Sequence, residues 1–181
     1  MSGKDQYQKW ELSMPFARTS VKAFFEKLPA AQSPDNSSAL TVDGLKNTFT
    51  TPAWKTAFAD PGSQLNTVLR HPVFKKDGMK DNEVDKVYLS VYALLLTVGN
   101  PQDKTLAFYN LIQEGGLANN EFVSAKDKDF APIFEKMCAL VTHELFELME
   151  ATSDFKTPYE EEDLKEIEAA HMFVREDVFL E

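Results

Sequence analysis

"NLIQEGGLANNE", Asn110–Glu121, is the stretch on which the reading of this chain turns. Two adjacent glycines, Gly115 and Gly116, interrupt helical patterning on both sides, and an acid closes the run. Upstream, "LLLTVGNPQDKTLAFYNLI" reads as helix, short break, helix. Downstream, "DFAPIFEKMCALVTHELFELME" carries Phe130, Phe134, Met137, Val141, Leu145 and Leu148 at spacings of three and four, the longest helical stripe in the chain. The pattern fits a plain helix–turn–helix or a loop built to hold a cation.

A helix–loop–helix that holds calcium leaves a readable trace. Oxygens are needed at loop positions 1, 3, 5, 7 and 9, a bidentate Glu at 12, and Gly at 6 for the sharp turn. An apolar residue at 8 pairs with the neighbouring loop, and apolar or aromatic residues flank at −4, −2, −1 and 13. With Asn110 at position 1, Gly115 falls at 6, Leu117 at 8, Glu121 at 12 and Phe122 at 13, while Leu106, Phe108 and Tyr109 take the leading flank. The oxygen cage does not follow, because position 3 is Ile112 and position 9 is Ala118. Asn110 and Glu121 therefore read as vestiges of a metal site.

Three other loops follow the same logic. In "DGMKDNEVDKVYL", Asp77, Asp81 and Asp85 fall at 1, 5 and 9, Val84 at 8 and Leu89 at 13, with Asn82 at the turn and Tyr88 in place of the closing acid. In "SPDNSSALTVDGL", Ser33, Asp35 and Ser37 fall at 1, 3 and 5, Leu40 at 8 and Leu45 at 13, and Gly44 replaces the acid. Near the end, Phe146, Leu148 and Met149 precede Glu150, Thr152 and Asp154, and a two-residue insertion brings Tyr159 to 8, Asp163 to 12 and Leu164 to 13. Glu150, Thr152, Asp154 and Asp163 form the best remaining metal-ligand set.

Four such loops in order make the chain resemble the EF-hand superfamily, and in length and loop order the calcineurin B-like and neuronal-calcium-sensor group. The resemblance covers roughly residues 16–170. It implies an all-α fold of two lobes, each a pair of EF-hand-like helix–loop–helix units, over 16–100 and 101–172, with tails at 1–15 and 173–181. It also implies an apolar groove that receives an amphipathic helix from a protein partner. Where the calcium oxygens are lost, it implies a fixed, non-catalytic adaptor. The alternative is a calcium-responsive regulator that keeps one irregular site. Calcium is the candidate ion for these loops, and no cofactor is expected.

Bulk properties agree with a globular interaction protein. The 181 residues are 43% hydrophobic and 27% charged, with 14 Phe, and can bury a core without covalent staples. The single cysteine, Cys138, excludes an internal disulfide and a cysteine-based metal cluster. Met79, Met137, Met149 and Met172 are adaptable apolar residues of the kind a groove uses, although helical spacing suits a core equally. Glu147–Glu181 carries 12 acidic and 3 basic residues out of a formal net charge of −10, so a nucleic-acid backbone would be repelled. The apolar run Val87–Val98 is too short for a membrane span, and the N-terminus shows neither a signal-peptide nor a myristoylation pattern. A cytoplasmic or cytoskeleton-associated protein is expected.

Enzyme readings are weaker. "HELFE", His143–Glu147, is similar to a zinc-protease helix but has Glu147 where the second His belongs. His171 is the nearest replacement. Cys138 sits in an apolar helix and reads as core.

Overall fold

The computed structural model describes residues 3–112 and 130–153 of the chain, and they are mostly helical. Helix α1, Gly3–Ser13, occupies the stretch expected as a tail. Its apolar residues Tyr7 and Trp10, with Met14 just beyond, recur at three and four, and Trp10 and Met14 are buried. A 3₁₀ turn, Pro15–Arg18, leads to α2, Val21–Lys27, whose first turn is capped by the Ser20 hydroxyl accepting from the Ala23 N–H. A second 3₁₀ turn, Leu28–Ala31, precedes strand β1, Ala39–Thr41, and α3, Val42–Thr48.

Helices α4, Pro52–Ala59, and α5, Gln64–Arg70, form a tight corner. Buried Asn66 holds that corner by donating its side-chain amide to the carbonyls of Ala57 and Asp60, at 3.1 and 2.7 Å. These carbonyls lie at the end of α4, where no intrahelical donor remains for them. A 3₁₀ turn at Pro72–Phe74 leads to β2, Glu83–Asp85, and α6, Lys86–Leu96. Then come α7, Pro101–Ile112, and, after the undescribed stretch, α8, Phe130–Ala139.

The core is aromatic at its centre. Phe16 meets Trp54 edge-on at 4.9 Å and Tyr92 at 5.3 Å, and Phe49 stacks on Trp54 at 4.6 Å. The Trp54 indole N–H is satisfied by the Thr19 hydroxyl at 2.8 Å. Ile133, Leu140, Leu145, Leu148 and Met149 extend the same cluster, with α8 against α6 and α9, Leu145–Thr152, against α5.

Between α8 and α9 the chain makes a π-helical turn, Leu140–Glu144, inside the long helix expected from the sequence. Leu140 is fully buried and Val141 is 52% exposed, the reverse of the stripe read from spacing. The reason is geometric. In an unbroken α-helix, at about 100° per residue, the five steps from Leu140 to Leu145 would leave these residues about 140° apart around the axis. The wider π turn rotates less per residue and brings both onto the core side.

The two strands are short and antiparallel, with Leu40 opposite Val84, both buried, and Ala39 and Thr41 opposite Asp85 and Glu83. The Val42 N–H donates to Asn82 O at 2.8 Å and the Lys86 N–H to Ser38 O at 2.9 Å, lengthening the ladder at both ends. Leu40 and Val84 are thus the apolar residues of two successive loops, brought face to face.

Candidate functional site

Each strand runs directly into a helix, and the residue at the junction caps it. Thr41 accepts from the Gly44 N–H at 2.9 Å, and Asp85 Oδ1 accepts from the Tyr88 N–H at 2.8 Å. Both caps lie at the ninth position of their loop, so oxygens there serve the helix start.

Ser33, Asp35 and Glu83, three further side-chain oxygens of these loops, have partners within the chain. Ser33 donates its hydroxyl to Glu83 Oε1 at 2.7 Å, joining the first position of one loop to the seventh of the next. Glu83 Oε2 accepts the Lys80 N–H at 3.1 Å. The Ser33 hydroxyl first, and then this N–H, hold the Glu83 carboxyl below its ordinary range. Asp35 pairs with Lys80 at 2.8 Å on the surface, and that hydrogen bond lowers the carboxyl and raises the amine.

The second loop is threaded by two lysines. Lys75 Nζ donates to the Asp81 carbonyl at 2.9 Å and also to the Glu83 carbonyl. Burial pushes its amine down, against the opposing pull of Asp81 and Glu83. Lys76 Nζ lies 2.7 Å from Asp85 Oδ2, a carboxylate with no exposed surface. The two form an ion pair, and Oδ2 accepts no hydrogen bond. Lys76 also lies over the Tyr88 ring at 4.5 Å, as does Lys136 of α8 at 4.2 Å. Lys136 pairs in turn with Glu144 of the π turn at 2.6 Å.

Gly44, at the closing position of the first loop, has no room for a side chain. A Cβ there would meet Ala31 O at 2.7 Å and Ala31 Cα at 2.9 Å. The Leu28–Ala31 turn packs against α3 where a closing carboxylate would have to leave the backbone. In the second loop the residue with left-handed backbone is Gly78, at φ 83°, and not Asn82. Glycine carries that conformation without a Cβ penalty, which relieves Asn82 of the turn role.

A groove of about 370 Å³ opens between α2, α6 and α7. Phe25, Leu28, Leu106 and Leu111 supply apolar walls, and Ser90 lines it with a buried hydroxyl that has no hydrogen-bond partner. Leu106 is 59% exposed and continues onto a shallow apolar patch with Pro101, Thr105 and Tyr109.

Asn110 lines this groove as part of α7, whereas Glu121 lies outside the described residues. Glu150 and Thr152 are on α9, and Asp154 and Asp163 lie outside. The Thr152 hydroxyl is drawn into the helical framework. It accepts from the Trp10 indole N–H at 2.8 Å and donates to Leu148 O at 2.6 Å. Among the described residues, no group of three or more His, Cys, Asp or Glu side chains could hold a metal. His143 falls in the π turn, Glu147 is exposed on α9, and His171 lies outside the described residues. Cys138 is partly buried, and burial first, then Glu135, pushes its thiol up, away from nucleophilic thiolate. No helix among the described residues is long and apolar enough to cross a membrane.

The residues that sequence reasoning missed are Lys75 and Lys76. Their signal was present at positions −2 and −1 of the second loop, where apolar or aromatic residues were expected. Comparison with family models, curated proteins and solved structures finds no match to this chain. The functional reading rests on the residues and their geometry.

Proposed function

We propose that this chain is a non-catalytic, EF-hand-like interaction protein, built of paired helix–loop–helix units in two lobes, that binds an amphipathic helix of a partner protein without calcium. The groove between α2, α6 and α7 carries the reading. Its walls of Phe25, Leu28, Leu106 and Leu111 are apolar within a charged rim, and Leu106 is exposed where a partner's leucine or phenylalanine packs. The groove rim carries both signs, Lys22 and Lys86 beside Glu26 and Asp103, while the acidic Glu147–Glu181 segment favours a partner with basic residues. A cytoplasmic or cytoskeleton-associated assembly is the setting that suits such an adaptor.

The test is calorimetric titration of a synthetic helical peptide with leucines at i, i+3, i+4 and i+7 and lysines on its other face. Saturable binding, equal in chelator and in calcium and weakened about tenfold or more by Leu106→Glu, is the expected result. Binding unaffected by Leu106→Glu would remove the groove from the proposal. Binding that appears only with calcium would favour the calcium-responsive alternative, and Asp163→Ala would then test its ligand set.

A further inference from the structure

The geometry points to a second loop that is a cation site filled from within, the ammonium groups of Lys75 and Lys76 supplying the positive charge that such a loop otherwise takes from a divalent ion. The inference deepens the calcium-independent reading above and rests on it only for treating Asp77–Leu89 as a calcium-type loop.

Three oxygens carry the argument. The carbonyl of Glu83 occupies loop position 7, the place where a calcium loop turns a backbone oxygen inward. Here that carbonyl and the carbonyl of Asp81 converge on one ammonium, Lys75 Nζ. The Asp85 carboxylate at position 9 has no exposed surface, and Lys76 Nζ stands 2.7 Å from it. A buried carboxylate requires a compensating positive charge, and Lys76 provides it without any ion from solution. Both lysines leave the chain just before Asp77, so their tethers reach back over the loop they precede.

Position 12 extends the arrangement. Tyr88 replaces the bidentate acid, and its ring faces Lys76 and Lys136 where a carboxylate would have faced a metal. Lys136 belongs to α8 and is held by Glu144. A sequence of charge contacts therefore runs from Asp85 through Lys76, Tyr88 and Lys136 to Glu144, joining the loop to the α8–α9 helix. An ammonium carries one charge and cannot be washed out, so the β1–β2 ladder stays closed at any calcium level.

The test is hydrogen exchange at the Val42 and Lys86 amides, which close the two ends of the ladder, followed by NMR on the full chain. Wild type should exchange at the same rate in chelator and in millimolar calcium. Lys76→Met should speed exchange at both amides about tenfold or more, while Lys76→Arg keeps it near wild type. A Lys76→Met chain that cannot fold beside a Lys76→Arg chain that can would also support the inference. Wild-type exchange that slows on adding calcium would overturn it, as would wild-type rates in a Lys75→Met/Lys76→Met double variant. Either overturning result would leave the Leu106 groove standing, and failure of the peptide to bind would leave the lysine-filled loop standing.

Discussion

The two loops that meet at Leu40 and Val84 are held by different physics. The first, Ser33–Gly44, is closed by packing: Gly44 sits so tightly against Ala31 that its closing position cannot bear any side chain. In the second, Asp77–Tyr88, Lys75 donates to two backbone carbonyls and Lys76 pairs with the buried Asp85 carboxylate. The ladder between them, and the Ser33–Glu83 hydrogen bond, tie the two solutions together. Steric fit and charge pairing should fail under different perturbations.

The largest effect is expected where packing is tightest. Gly44→Val should cost about 3 kcal/mol or more, because the clash is with backbone atoms that have no free rotation. Gly62→Ala, whose new Cβ would stand 3.5 Å from Asp60 Oδ1, should stay within about 0.5 kcal/mol. Urea denaturation of both variants measures the contrast, and equal losses would break the account of the first loop.

Next comes the charge-paired loop. Lys76→Met should cost about 1–2 kcal/mol, reduced from a fully buried pair because the Lys76 side chain is 44% exposed. The same denaturation series on Lys76→Arg should recover most of that loss. The ladder itself gives a smaller term. A double-mutant cycle of Leu40→Ala and Val84→Ala should yield a coupling of about 0.5–1 kcal/mol, and zero coupling would mean the loops close independently.

The last comparison is by pH. The Glu83 carboxyl is held below its ordinary value of 4.5, so its contribution is present above that pH and lost as pH falls through the lower folded value. Urea midpoints between about pH 5 and about pH 3 should therefore fall less steeply in Glu83→Gln than in wild type. Lys80→Ala, which removes a partner of exposed Asp35, should leave the neutral-pH midpoint unchanged.

Much of this was legible in the order of residues. Apolar residues at three and four marked the helices, Pro and Gly marked the breaks, and the pairing position of two loops could be assigned to Leu40 and Val84 before any contact was known. Loss of ligand-type residues at closing positions was equally visible at Gly44 and Tyr88. The candidate site was only half visible. Leu106 could be named as a loop flank, but its exposure depends on how α7 lies against α2 and α6. Thr152 reads as a loop oxygen, and its pairing with Trp10 spans almost the whole described chain.

What the sequence alone determined, then, is local: helical periodicity, breaks at Pro and Gly, and loops without a complete oxygen cage. These follow from the stereochemistry of neighbouring residues, so short windows contain them. The tertiary structure decided the rest. It exchanged Leu140 for Val141 in the core through a π turn, required a bare Cα at Gly44, and brought Lys75 and Lys76 onto the oxygens of their own loop. Burial, close approach and charge compensation depend on where distant segments lie, and sequence spacing does not carry that distance.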